Sequence, residues 1–175
     1  GKTPPPFDIL YWNSDPTNLP AKMYNTYIRE MYVENNLAKS GGFSCCDKAI
    51  ELDKVKVPSY FLSAIEDHIA PWKTTFIGTE LLGGPVEFVL GGSGHIAGVI
   101  NPPAKNKRNF WSQGEFGQGA DHWLETATNN PGSWWNHWHA WLDSQDAKQV
   151  PAREVGHADY PEIAPAPGDY VRVRI

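Results

Sequence analysis

The sequence lacks an excess of basic residues, a long charge run and a long apolar run. Its 175 residues contain 15 Lys and Arg against 20 Asp and Glu, which gives a net charge of −5, and only 20% of residues are charged. This balance argues against a nucleic acid or an anionic membrane surface as the main partner. No apolar run approaches the roughly 18 residues that span a bilayer, so we expect a soluble protein. The hydrophobic fraction of 41% excludes a disordered chain.

Cysteine is scarce, and the two that occur, Cys45 and Cys46, are adjacent. Neighbouring cysteines rarely bridge each other, so we expect no disulfide framework and a reducing compartment. Either thiol could be a nucleophile, but neither lies in a Gly-x-Cys-x-Gly turn before a helix. A structural thiol is the favoured interpretation. The start at Gly1 without Met suggests processing, truncation or incomplete coverage.

The length of 175 residues corresponds to about one domain. The 15 Pro and 16 Gly predict many turns, and eight Trp is a high number. Residues 21–38 predict a helix that ends at Gly41 and Gly42. Its aromatic and methionine stripe comprises Met23, Tyr24, Tyr27, Ile28, Met31 and Tyr32. We interpret this stripe as core or interface packing.

The middle of the chain predicts a strand, a helix and a second strand. Residues 59–64 and 86–90 are short apolar runs typical of buried parallel strands. Between them, Pro71 suits the first turn of a helix that ends at Gly83 and Gly84. The sequence therefore predicts a βαβ unit with a right-handed crossover.

Residues 120–129 and 133–145 predict two further helices, and Ser133 can cap the second. On that helix a row of Trp residues shares one face. We interpret the row as core packing, with stacking on a sugar or a hydrophobic chain as the weaker alternative. Residues 170–175 alternate in the manner of a short edge strand.

Asp67 and His95 are the main candidates for catalysis, because each comes just after a predicted strand. Parallel strands end at the same edge of a sheet, which is where open α/β sheets hold their sites. In nucleophile–His–acid chemistry the His is the general base and the acid fixes its tautomer. A helix cap and an incidental His are the alternatives. His68 competes with His95, but a residue adjacent to Asp67 is poorly placed for its carboxylate.

Other candidate sites are weaker. His137 and His139 lie near His122 along the chain, but residues two apart on a helix point in different directions. We therefore expect no metal site. The glycines around Ser93 lack the spacing of a phosphate-binding loop.

The two predicted strands do not make a complete sheet. A two-stranded parallel sheet has two open edges and buries too little surface to be stable. In α/β-hydrolases the nucleophile precedes the acid and the His, and no nucleophile turn precedes Asp67 here. We therefore expect this chain to be the C-terminal portion of a larger α/β fold whose nucleophile-bearing half lies elsewhere.

Several segments carry a family resemblance, in the same order along nearly the whole chain. The sequence resembles the polyhydroxyalkanoate synthases, in particular the long single-subunit class I enzymes. The segments are residues 11–20 (YWNSDPTNLP), 63–72 (SAIEDHIAPW), 92–105 (GSGHIAGVINPPAK), 132–135 (GSWW) and 164–171 (APAPGDYV).

The resemblance implies the C-terminal portion of an α/β-hydrolase fold, with residues 1–50 in a cap subdomain and residues 51–175 in the core. It implies an acyltransferase that polymerises (R)-3-hydroxyacyl-CoA and releases CoA. Asp67 would be the acid partner and His95 the general base, although Asp67 could also act directly on the hydroxyl. The nucleophilic Cys lies outside this chain, so we expect the fragment alone to be inactive. Cys46 falls where the family often has a non-catalytic Cys.

The resemblance also implies partners and a location. The partners are hydroxyacyl-CoA as substrate, the growing polyester chain and the rest of the synthase, and the resemblance is compatible with a homodimer. We expect no cofactor and a cytoplasmic location at polyester granules. Two alternatives remain open. The first is an ester or thioester hydrolase on the same scaffold, and the second is a non-catalytic polymer-binding module that uses exposed Trp residues.

Overall fold

The computed structural model describes residues 14, 16–146 and 148–173, so residues 11–13 and 15 of the first motif segment lie outside the described residues. The helices are α1 (Ala21–Tyr27), α2 (Trp72–Ile77), α3 (Ala120–Thr126) and α4 (Trp134–Gln145). The strands are β1 (Phe43–Cys45), β2 (Lys48–Ile50), β3 (Ser59–Ala64), β4 (Val86–Gly91), β5 (Asn109–Ser112) and β6 (Thr128–Pro131). A π-helical stretch (Ile28–Val33) continues α1, and short 3₁₀ turns occupy Asn36–Ala38, Leu52–Lys54, Gly78–Glu80 and Tyr170–Arg172.

Four strands form a mixed sheet in the order β3-β4-β5-β6. β3 and β4 run parallel, from the Ser59–Val86 pair to the Ala64–Gly91 pair, with α2 between them in the chain. The predicted strand–helix–strand unit is therefore confirmed. β5 and β6 extend the sheet in antiparallel fashion. The protein is of the mixed α/β class.

The two antiparallel strands were not predicted from the sequence. Each has four residues, which is too short to display a clear alternation of apolar and polar side chains. The helix predicted over residues 120–129 is wrong at its end, because Thr128 pairs with Ser112 of β5 and α3 stops at Thr126.

An aromatic core lies on the side of the sheet that faces α2 and α3. Phe88 and Leu90 of β4 pack with Phe76 of α2 and Trp123 of α3, and all four are buried. The Trp123 ring meets the Phe88 ring edge-on at a centroid distance of 4.8 Å, an arrangement that aromatic pairs favour. Trp72 of α2 completes this cluster.

The aromatic and methionine stripe of residues 21–38 is largely exposed. Met23 is 52% exposed and Tyr24 is 50% exposed, and α1 contains no buried residue. The expectation that the stripe packs in the core of this chain is therefore wrong. The helical periodicity identifies an apolar face, but it does not say what covers that face. Interface packing stays a prediction.

The Trp row on α4 is also less buried than predicted. Trp134 and Trp141 are half-buried and pack against Tyr60 of β3, whereas Trp138 is 40% exposed. At the C-terminus the predicted edge strand is wrong over its described residues. Residues 170–172 form a single 3₁₀ turn whose hydrogen bonds are local, and residues 174–175 lie outside the described part.

Cys45 and Cys46 lie at the tip of the β1–β2 hairpin. Cys46 and Asp47 have φ angles of 49° and 60°, as a two-residue type I′ hairpin turn requires. The Sγ atoms are 4.0 Å apart and both thiols are free, so the prediction that they do not bridge is confirmed. A strand and not a helix follows Cys46, so this turn is not a nucleophile elbow.

Candidate active site

Asp67 and His95 follow β3 and β4 at the same edge of the sheet. Beyond the strand ends, Glu66 N–H donates a 3.0 Å hydrogen bond to Ser93 O. This bond joins the turn that carries Asp67 to the loop that carries His95. The two side chains meet as expected, with His95 Nδ1 2.7 Å from Asp67 Oδ2. Their catalytic roles stay a prediction.

The Asp67 carboxylate is held on both of its oxygens. Oδ1 accepts hydrogen bonds of 2.9 Å from the backbone N–H groups of Ile69 and Ala70, and Oδ2 faces His95. Partial burial acts to raise the pKa of Asp67, but the N–H of Ala70, the His95 ring and the N–H of Ile69 outweigh it. The net pKa lies below its ordinary value, so the carboxylate is ionised and accepts hydrogen bonds only.

The His95 ring has one nitrogen engaged and one available. Because the Asp67 carboxylate only accepts hydrogen bonds, the neutral ring places its proton on Nδ1 and its lone pair on Nε2. The side chain is 46% exposed, and Nε2 makes no hydrogen bond to any residue that the structure describes. This arrangement can remove a proton from a donor placed at Nε2.

One glycine in the His95 loop is required by close packing. A Cβ atom on Gly98 would lie 2.6 Å from Ala64 Cβ at the end of β3 and 2.8 Å from Gly94 O. Gly94 has no such restriction, because its Cβ would meet only Glu66 O, at 3.8 Å. Ser93 itself has a φ of 98°, which costs energy for a residue with a side chain. The loop is therefore pressed tightly against β3.

The remaining histidines stay apart from this pair. His122 Nε2 lies 3.4 Å from Glu115 Oε2, and His139 Nδ1 lies 3.4 Å from Asp143 Oδ2. Among the described residues, no group of three or more His, Cys, Asp or Glu side chains could hold a metal ion. His68 is exposed, and the Asp67 carboxylate binds His95 instead.

A second polar cluster, which the sequence analysis missed, lies between the sheet and α4. Tyr60 Oη is 3.0 Å from His137 Nδ1, and His137 Nε2 is 3.7 Å from Glu87 Oε1. Burial raises the pKa of Tyr60 and of Glu87 and lowers that of His137. Tyr60 and Glu87 are both second in their parallel strands and pair across them. That shared position is the signal that could have predicted that the Tyr60 and Glu87 side chains lie side by side.

These features define a mixed α/β protein with a carboxylate–imidazole pair at one edge of its sheet. Within the described ranges, no helix is both long enough and apolar enough to cross a membrane. No family model matches the chain.

Individual proteins do match it. The chain is 46% identical over 175 residues to "Poly(3-hydroxyalkanoate) polymerase subunit PhaC" of Cupriavidus necator, an alignment that covers 99% of this chain and 30% of the relative. The protein of the same name from Rhizobium meliloti is 47% identical over 174 residues, or 99% of this chain and 28% of the relative. "Poly(3-hydroxyalkanoate) polymerase" of Methylorubrum extorquens is 46% identical over 175 residues, with 99% and 29% covered.

Over 99% of its length the chain therefore aligns with part of these polymerases, and the resemblance to the polyhydroxyalkanoate synthases predicted from its motifs is confirmed. It spans about 30% of the length of the curated relatives it matches.

Proposed function

We propose that this chain supplies the acid and the general base of an acyltransferase that polymerises (R)-3-hydroxyacyl-CoA and releases CoA. In this proposal the nucleophile is a Cys outside the chain, His95 is the general base and Asp67 is its acid partner. The observation that carries the proposal is the 2.7 Å contact between His95 Nδ1 and Asp67 Oδ2, with Nε2 left available. The names of the relatives support the choice of reaction.

The first step of the reaction is acyl transfer to the enzyme. His95 Nε2 takes the proton of the Cys thiol, and the thiolate attacks the thioester carbonyl of hydroxyacyl-CoA. The C–S bond to CoA then breaks, and the CoA thiolate leaves with the proton that the imidazolium returns. One thioester replaces another, so this step is close to isoenergetic. Asp67 stabilises the imidazolium in between.

The second step is chain extension. His95 removes the proton from a 3-hydroxyl group, and the resulting oxygen nucleophile attacks an enzyme-bound acyl thioester. A new ester bond forms and the Cys thiolate leaves, taking the proton from His95. A thiolate leaves more readily than an alkoxide, which is why a Cys suits this reaction. Direct action of Asp67 on the hydroxyl is the alternative for this step.

We also propose that the fold is the C-terminal portion of an α/β-hydrolase, with residues 1–50 in its cap and residues 51–175 in its core. Three observations support this: β3 and β4 are parallel, the acid precedes the His along the chain, and both lie at one sheet edge. In the described part of the chain β3 is an edge strand, so the strand that precedes the nucleophile has room to join beyond it. The partners would be the rest of the synthase, the growing polyester and a second copy of the protein, at cytoplasmic granules.

The test uses the Cupriavidus necator polymerase with this chain in place of its matching segment. Release of CoA is followed with a thiol reagent, and polymer is quantified after methanolysis. We expect Asp67→Asn to lower kcat by about 10⁴-fold, the size of the effect when a triad Asp loses its charge, and His95→Ala to lower it at least as far. His68→Ala is the matched control, because this exposed neighbour of Asp67 should keep the parent rate.

Two results would count against the proposal. Parent rates in both the Asp67 and the His95 variants would remove these residues from the mechanism. Free hydroxy acid as the sole product, with no polymer, would favour the hydrolase alternative. The isolated chain is expected to release no CoA, because it lacks the nucleophile.

A further inference from the structure

The loop that carries His95 needs support from outside itself. The imidazole is half-exposed and its ring hydrogen-bonds to Asp67 only, within the ranges that the structure describes. One contact at the tip of a side chain does not fix a backbone. The position of Nε2 therefore depends on how the loop is anchored at its two ends.

The start of the loop is anchored by the sheet. Gly92 N–H donates a 2.8 Å hydrogen bond to Asn109 O at the start of β5, and Ser93 O accepts from Glu66 N–H at 3.0 Å. Both contacts precede His95. They therefore do not anchor the residues that follow His95.

The end of the loop is held by two indole rings from the first turn of α4. Trp134 Nε1 and Trp135 Nε1 both donate to Val99 O, at 3.1 and 2.9 Å, and the same oxygen accepts a 3.1 Å hydrogen bond from Asn101 N–H. Val99 lies four residues after His95. A 2.8 Å hydrogen bond from Gly98 N–H to Gly94 O closes the turn around His95, and Val99 N–H donates to Ile96 O at 3.1 Å. A shift of the Val99 carbonyl is therefore passed to His95 through a hydrogen-bonded turn.

The first turn of α4 is itself fixed to the chain beyond Val99. Ser133 Oγ donates to Asn101 O and accepts from Trp135 N–H at 3.2 Å, and Ser133 N–H donates to Asn106 Oδ1 at 2.9 Å. Ser133 and Asn101 are 3% and 5% exposed. Because these groups are buried, their hydrogen bonds do not compete with water. The two indole donors are therefore carried by a helical turn whose backbone is itself fixed by hydrogen bonds.

We propose that Trp134 and Trp135 are positioning residues for His95, which they hold against Asp67 through the carbonyl of Val99. The proposal depends on the proposed function only in that His95 is the general base there. An indole N–H can only donate a hydrogen bond, so each ring contributes a contact that Phe cannot replace. A small displacement of a catalytic group lowers the reaction rate by a large factor. An anchor that fixes the position of the His95 ring would therefore protect the rate.

The test measures the His95 tautomer in the hybrid Cupriavidus necator polymerase that carries this chain, labelled with ¹⁵N-histidine. Long-range ¹H–¹⁵N correlations through the ring C–H protons, recorded where the ring is neutral, report which nitrogen carries the proton. A His95→Gln variant assigns the signals, and Asp67→Asn shows the spectrum without the carboxylate. In the parent chain we expect the Nδ1–H tautomer to dominate.

In the double variant Trp134→Phe with Trp135→Phe, we expect the ratio of Nδ1–H to Nε2–H to fall by about fivefold or more, a change of the order of one weakened hydrogen bond. Each single variant should give a smaller fall in the same direction. Trp141→Phe is the matched control, since Trp141 lies on the same helix and, like Trp134, packs on Tyr60, but the indole donors to Val99 O are Trp134 and Trp135. The tautomer ratio of this control should equal the parent's.

A folded double variant with the parent's ratio would overturn the proposal. If the double variant does not fold, parent ratios in both single variants overturn it in the same way. Absence of the Nδ1–H tautomer in the parent chain would refute the Asp67–His95 contact itself. The readout involves no turnover, so it can fail while the polymerase assay succeeds, and the reverse also holds.

Discussion

Adding one methyl group at Gly98 should loosen the contact between the His95 loop and β3. The Cβ of Gly98→Ala would lie 2.6 Å from Ala64 Cβ and 2.8 Å from Gly94 O, whereas non-bonded carbon atoms prefer roughly 3.5–4.0 Å. Loop and strand must therefore separate by about 1 Å. Overpacking of this kind costs about 1–3 kcal/mol, and for a chain of this size each kcal/mol lowers Tm by about 2–4 °C.

The matched control is Gly94→Ala in the same loop. Its Cβ would meet only Glu66 O at 3.8 Å, so its free energy of unfolding should stay within about 0.5 kcal/mol of the parent. Both substitutions restrict the unfolded chain equally, so the difference between them isolates the clash. Urea unfolding followed by Trp fluorescence gives both midpoints. Equal midpoints for the two variants would refute the packing described for this loop.

Two further predictions concern α4. Burial lowers the pKa of His137 in the folded chain. In the unfolded chain His137 has the ordinary pKa of about 6.5, so as the pH drops through that value the unfolded chain binds more protons and the free energy of unfolding falls. His137→Gln should shrink the loss of urea midpoint between about pH 7.5 and about pH 5.5; an unchanged loss would contradict this. Ser133→Ala removes the buried bond to Asn101 O and the cap on Trp135 N–H and should cost about 1–3 kcal/mol by urea unfolding. The exposed Ser144→Ala is its control, and a matching effect there would argue against a special role for Ser133.

Much of the candidate site could be predicted because it follows from strand order. Two apolar runs joined by a helix of this length form parallel neighbours, and parallel neighbours end at one edge. Asp67 and His95 come directly after those runs, so their meeting follows from the sequence pattern. The nucleophile could not be located in the same way, because the sequence before Asp67 contains no Gly-x-Cys-x-Gly turn of the kind that carries a nucleophile.

The exposed faces were harder to predict. The stripe that includes Met23 and Tyr27 has the periodicity of a packed helix, yet the described residues leave it half-exposed. Trp138 shares the helical spacing of Trp134 and Trp141 but is more exposed than they are. Periodicity reports that side chains lie on one face. It carries no information about which surface, if any, lies opposite.

The sequence by itself determined the βαβ unit, the cap at Ser133 and the edge at which Asp67 and His95 emerge, because these follow from local spacing and the geometry of parallel strands. Only the tertiary structure decided that Thr128–Pro131 joins the sheet, that Tyr60 meets His137, and that two indoles hold the Val99 carbonyl. Those contacts join residues far apart in the chain, and their partners are chosen by three-dimensional packing and hydrogen-bond satisfaction, which no local pattern encodes.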